Sequence, residues 1–146
     1  MNQYPPQQPP PPPPVTPSPP PASGQATSTG LDPKLAGLLC YILGLVTGLI
    51  FFLIEKTTPV VRFHAAQSIV FSVATIALWI VLTILSIIVY QISWTLGNLF
   101  NLITLLIWLG LFIVWIILLV KGYSGQKWKL PFLGDFAERM AGSAST

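Results

Sequence analysis

Three long runs without a single charged side chain, Leu35 to Ile54, Ser68 to Tyr90 and Phe100 to Val120, constrain this chain more than any other feature. A soluble domain needs polar residues on its outer face, and runs this long and this uniformly apolar cannot supply them. At about 1.5 Å of helical rise per residue, each run matches the ~30 Å hydrocarbon core of a bilayer. In lipid the backbone must satisfy its own hydrogen bonds, so the runs are expected as helices. The chain is 53% hydrophobic and 8% charged, against about a quarter charged in ordinary soluble domains.

The expected fold class is therefore all-α, an integral membrane bundle of three transmembrane helices over about 35–54, 68–90 and 100–120. Residues 1–33, with an unbroken run from Pro9 to Pro14, read as a disordered proline-rich tail, because proline fixes φ and lacks an amide donor. The tail has no basic residue and no apolar core, so it does not read as a secretory signal, and the first run is expected to act as its own insertion signal. Asp32-Pro33 suits an N-cap followed by proline at the first helical position. The transmembrane domain spans 34–141 and closes with an interfacial helix over 132–140. There Phe132, Phe136 and Met140 recur every four residues, with Leu133 and Ala137 beside them and Asp135, Glu138 and Arg139 off the stripe. The last residues, from Ala141, are expected to fray.

Within the first run Ala36, Cys40, Gly44 and Gly48 recur every four residues. Small residues on one face let another helix come close, so these four are the candidate helix-packing residues. The second span is expected to continue an interfacial helix begun near Arg62, and a polar and aromatic seam follows helical spacing along it through His64, Ser68, Ser72, Thr75, Trp79, Thr83, Ser86 and Tyr90. Hydroxyls in lipid seek protein partners, so this seam is expected to face other helices. Gln91 to Asn98, with Trp94 and Gly97-Asn98, reads as a turn at the far interface.

Polar residues otherwise gather between the first two runs, where Glu55, Lys56, Arg62, His64, Gln67 and Ser68 are the candidate motif and interface residues. A proton relay needs titratable groups at several depths, and the middle of each run has none. A Ser68–His64 pair shares a helix face but lacks an acidic orienter and an oxyanion donor set, so no catalytic residue is assigned. One histidine and one cysteine, far apart, cannot build a zinc site or a disulfide, and no metal or cofactor is expected. The net charge of +3 forms no basic patch interleaved with aromatics, so nucleic acid is not an expected partner. Three spans would set Lys56, Arg62, Lys121, Lys127, Lys129 and Arg139 on one side against Lys34 on the other. The positive-inside rule then puts the C-terminus in the cytoplasm and the N-terminal tail outside.

Glu55-Lys56 closing one run and Val61-Arg62-Phe63-His64-Ala65-Ala66-Gln67-Ser68 opening the next resembles small bacterial membrane proteins of unknown function. These are distantly similar to the chloroplast inner-envelope protein-import subunit of about twenty kilodaltons. Leu130-Pro131-Phe132-Leu133-Gly134-Asp135 is similar to that group's ending. The resemblance covers everything except the tail. It implies a helical bundle in a bacterial plasma membrane and, through the plant relative, part of a polypeptide-conducting channel. The motif positions are signature residues of the group rather than catalytic ones.

The expected function is that of a non-enzymatic multi-pass membrane protein that assembles with itself or with a membrane-protein partner. The alternative is a pore or translocation component in which several copies line a path with Ser72, Thr75, Thr83 and Ser86.

Overall fold

The computed structural model of the chain describes residues 27–143, which contain helices and turns but no strand. The helices are α1 (Pro33–Ile42), α2 (Leu45–Ile54), α3 (Pro59–Ile92), α4 (Trp94–Ser124) and α5 (Leu133–Ser143). The proline-rich stretch up to residue 26 lies outside the described residues. The remainder of the expected tail is folded: Thr27 is buried and turns back on itself, with Gly30 N–H donating to Thr27 O at 2.8 Å.

The first apolar run is not one helix. Leu43 and Gly44 break it into two 10-residue halves, each about 15 Å long and so half of a hydrocarbon core. Gly44 sits at φ +57°, a region that side-chain-bearing residues avoid and glycine enters freely. The chain folds back there, so the outer ends of α1 and α2 meet. Ser28 N–H donates to Glu55 Oε2 at 2.9 Å, and Lys56 N–H donates to Ser28 Oγ at 3.0 Å. The expected span over 35–54 is therefore corrected to a helical hairpin whose two ends lie at the same end of the molecule. Its apex is level with Ser72 of α3 and Trp115 of α4, which Gly44 and the Tyr41 carbonyl contact.

Two helices are long and apolar enough to cross a membrane, α3 with 34 residues and α4 with 31. They extend about 51 and 46 Å, more than the ~30 Å core, so they tilt or project beyond it. α3 begins at Pro59, just before the expected start near Arg62, because proline at the first helical position needs no N–H partner. α4 begins at Trp94 rather than residue 100, so the expected turn over 91–98 contracts to Ser93. Gly97 is helical, and what it provides is room: a Cβ there would meet the Tyr90 ring at 2.4 Å.

The core lies at one end. Ala36, Cys40 and Tyr41 of α1 pack with Val61, Ala65 and Phe71 of α3 and Leu118 of α4. At the crossing of α1 and α4, a Cβ on Gly37 would stand 2.4 Å from Gly122 O, so only glycine allows this approach. α5 docks on α3, with Ala137 fully buried against Phe63, Ala66 and Val70. Its docking face is thus Leu133, Ala137, Met140 and Ala141, while Phe132 and Phe136 are exposed. Past Phe71 the outer faces of α3 and α4 present Ile76, Ile80, Ile84, Leu102, Leu105 and Ile113 outward. Such a surface is stable only against lipid or another apolar partner.

Candidate functional site

A helix broken inside an apolar environment leaves carbonyls with no intrahelical partner, and each must be met by something else. Side chains from three helices meet them. Ser68 Oγ–H reaches Cys40 O at 2.6 Å and Gly44 O at 3.0 Å. Thr47 Oγ1 donates to Cys40 O at 3.3 Å, and Trp115 Nε1–H donates to Tyr41 O at 3.0 Å. Ser68 is thereby the residue that stitches the hairpin apex to α3. A Cβ on Gly48 would meet Ser68 Oγ at 3.0 Å, so the second glycine of the small stripe lets the hairpin's return arm lie against the same serine.

Glu55 performs the same task at the open end. Its side chain is inaccessible to solvent. Oε1 accepts from Thr57 Oγ1 at 2.7 Å, from Thr58 N–H at 2.8 Å and from Thr57 N–H at 3.0 Å, while Oε2 accepts from Ser28 N–H. Burial by itself pushes a carboxyl pKa up, but the Thr57 hydroxyl and the N–H groups of Thr58, Thr57 and Ser28 more than offset it and hold Glu55 below its ordinary value. The carboxylate ties the entry to α1, the exit from α2 and the start of α3 into one knot.

His64 and Gln67 face inward from the next turns of α3. His64 Nδ1 lies 3.1 Å from the Tyr41 hydroxyl, and the ring packs edge-on against Tyr41 and Phe63. The Gln126 backbone lies beside the same imidazole. Gln67, with its amide oriented to satisfy both groups, donates to Trp128 O at 3.1 Å and accepts from Leu130 N–H at 3.2 Å. The pair therefore holds the segment between α4 and α5 across the first turns of α3. Arg62 stacks its guanidinium over the Phe52 ring at 5.4 Å, and Lys56 is exposed.

The structure thus brings Glu55, His64, Gln67 and Ser68 to one buried band along the hairpin, from Glu55 at its open end to Ser68 at its apex, with Arg62 and Lys56 at the rim of the open end. The four small residues, Ala36, Cys40, Gly44 and Gly48, face the same band, so this face of the first run is occupied within the chain. Ser28, Gly37, Tyr41, Thr57, Trp115 and Gly122 also build the site, and sequence reading did not single them out. The Asp32-Pro33 helix start hints at Ser28, because it requires the preceding residues to be ordered. For Gly37 and Gly122 no periodic signal exists.

The polar seam divides. Its first residues, His64 and Ser68, are covered by the hairpin. Ser72 and Thr75 line a cleft of about 340 Å³ at the apex with Tyr41, Gly44 and Trp115. Thr83 and Ser86 line a separate outward groove of about 210 Å³ between α3 and α4, with Trp79, Asn101, Thr104 and Trp108. There Asn101 Nδ2 donates to the Tyr90 hydroxyl at 2.8 Å and Ser86 Oγ donates to Asn101 Oδ1 at 3.3 Å. The four residues offered as one pore lining open into two different recesses.

A family model described as the magnetosome magnetite crystal formation protein family matches residues 24–137. A UPF0132 membrane protein of Methanocaldococcus jannaschii is 42% identical over 113 residues, which cover 77% of this chain and 92% of the relative. A second one from that organism is 36% identical over 110 residues, 75% of this chain and 71% of the relative. A UPF0132 membrane protein of Archaeoglobus fulgidus is 36% identical over 112 residues, 77% of this chain and 98% of the relative. No solved structure matches the chain. These relatives are archaeal where the resemblance pointed to bacterial proteins, and none of their names speaks of chloroplast import.

Proposed function

The chain belongs to the magnetosome magnetite crystal formation protein family, and on that premise we propose that it is a non-enzymatic multi-pass membrane protein that assembles with further copies of itself through the open halves of α3 and α4. The observation that carries this reading is the outward groove at Ser86 and Asn101. Asn101 is exposed on an apolar helix, and Thr83, Tyr90 and Thr104 extend the polar patch around it. Lipid tails offer such groups nothing to bond, so a second helix is the favourable cover. The seam that the hairpin covers along the first turns of α3 continues uncovered here, which supports a neighbouring copy as the missing partner.

The absence of a catalytic role is supported by how the signature residues are used. Glu55, Gln67 and Ser68 spend their polar atoms on the hairpin and the α4–α5 segment, and His64 Nδ1 meets the Tyr41 hydroxyl. The family's description refers to magnetite, yet among the described residues no three His, Cys, Asp or Glu side chains gather to hold a metal ion. Of the four acidic residues, Glu55 is buried and Asp135 and Glu138 pair with Lys129. The proposed role is that of a membrane scaffold and places no mineral contact on these residues.

The test is the copy number of the full chain, by single-molecule photobleaching in lipid nanodiscs loaded from native membranes. Assemblies of more than one copy are expected. Asn101→Leu is expected to weaken association about 3- to 30-fold, the range for one polar helix–helix contact in a membrane. Thr83→Leu fills the groove without touching the Ser86–Asn101–Tyr90 bonds and is expected to do the same. A single copy in every disc, or association unchanged by both variants, overturns the proposal.

A further inference from the structure

We propose that Phe132 and Phe136 insert among the acyl chains of the adjoining leaflet and anchor α5 in the plane of the membrane surface. Phe132 is the starting observation. Among the described residues it is the one with a side chain that takes a positive φ, +68°, where a Cβ crowds the backbone and glycine would sit without strain. Its ring is 94% exposed, and Phe136, one turn on, is 61% exposed. The docking of α5 on α3 gains nothing from the Phe132 ring, since it runs through Leu133, Ala137, Met140 and Ala141. A strained backbone that holds an aromatic ring clear of the protein presents it to something outside.

The two edges of α5 identify that partner as lipid. One edge, with Glu138 and Gly142, shares a recess with Lys56, Pro59 and Arg62 at the start of α3. The other, with Phe136 and Met140, borders an apolar groove of about 390 Å³ with Ile69, Val73 and Ala77, several turns further along α3. α5 therefore crosses α3 with a charged edge toward the helix start and an aromatic edge toward the apolar middle. A helix divided in this way lies in the interface, its apolar side sunk below the headgroups. Beyond the groove α3 presents Val73, Ile76 and Ile80 outward, and Phe136 extends that same surface. A water-soluble partner would have to reach Phe136 from the bilayer side, so acyl chains are the occupant that fits.

The experiment uses the full chain in phosphatidylcholine nanodiscs, with a nitroxide on one introduced cysteine: Phe132→Cys, Phe136→Cys or Lys127→Cys. Depth is read from relaxation by oxygen, which concentrates among acyl chains, against relaxation by a water-soluble nickel chelate. All three positions are exposed, so the label leaves the core intact, and native Cys40 is buried. The labels replacing Phe132 and Phe136 are expected about 5–10 Å below the headgroup surface, and the label replacing Lys127 above it, within reach of nickel. Nickel contact at Phe132→Cys and Phe136→Cys equal to that at Lys127→Cys would put the aromatic edge in water and overturn the proposal. Labels there that are shielded from both oxygen and nickel would mean that a protein surface, a second copy included, covers the edge, and would overturn the lipid assignment.

Discussion

Glu55 is a buried carboxylate that forms no salt bridge among the described residues, and its stability rests on hydroxyl and N–H donors from Ser28, Thr57 and Thr58. Hydrogen bonds to a charged group are the stronger kind, about 1.5–3 kcal/mol each in net terms. Because the folded pKa of Glu55 lies below its ordinary value, the folded state gains from ionisation at any pH above the unfolded value of about 4.3. That gain is lost as pH falls below about 4.3 and through the folded value. Unfolding midpoints in detergent measured against pH should therefore drop on the acid side. Glu55→Gln should lower the midpoint at neutral pH and flatten the acid limb, leaving the slope from Glu138, whose pKa is also held down by Lys129. Parallel curves for the two proteins would mean that the carboxylate does not hold the hairpin. Ser68 is the companion residue at the apex: its hydroxyl replaces the helical N–H at the Cys40 carbonyl and also reaches the Gly44 carbonyl, which accepts from Gly48 N–H as well.

At the scale of the elements, the bundle depends on close helix approach in two places, where α1 crosses α4 and where α2 lies on α3. Gly37→Ala would set a Cβ 2.4 Å from a backbone carbonyl of α4, and the helices must separate, at a cost of about 1–3 kcal/mol. Gly110→Ala makes a control, since a Cβ there meets nothing within 4 Å. Thermal unfolding in detergent should show Gly37→Ala destabilised and Gly110→Ala unchanged or slightly stabilised, and equal effects would refute the crossing. α3 and α4 were legible in the sequence because long charge-free runs admit few other structures, and only their bounds moved. The hairpin was not legible. Gly44 and Gly48 sit in one G-x-x-x-G spacing, which a straight packing helix satisfies equally well. Only Gly44 takes a positive φ, and nothing local distinguishes it from Gly48. The motif residues stood out as the polar island of an apolar chain, but their partners did not. Glu55 meets Ser28, Ser68 meets Cys40, and Gln67 meets Trp128, all contacts across more than twenty positions. α5 was visible as an amphipathic helix, yet the face it buries runs through Ala137 rather than Phe136, because the tight surface of Ala66 on α3 accepts a small residue and not a ring.

For the whole molecule, the hairpin changes which side of the membrane each end is expected to occupy. With three full spans Lys34 would lie opposite the other six basic residues. With α1 and α2 returning to the same end, all seven fall together, and the turn at Ser93 has no charged residue near it. The positive-inside rule then acts without an exception and predicts residues 27–32, the α2–α3 turn and α5 in the cytoplasm, with Ser93 outside. Straightening the hairpin would break the Ser28–Glu55 knot and leave the Cys40 and Gly44 carbonyls without Ser68. It would also carry Lys34 across the bilayer, at a cost of roughly 2.5–3.5 kcal/mol if it rested at mid-depth. Single cysteines placed at Thr29, Thr95 and Arg139, all exposed, decide between the arrangements. A membrane-impermeant maleimide applied to intact cells should label Thr95→Cys alone, and Thr29→Cys and Arg139→Cys only after permeabilisation. Buried Cys40 should stay silent while the chain is folded. Labelling of Thr29→Cys together with Thr95→Cys in intact cells would restore three spans, and with them a tail outside. The same result would dissolve the carboxylate knot at Glu55, because its Ser28 partner would then lie on the other side of the membrane.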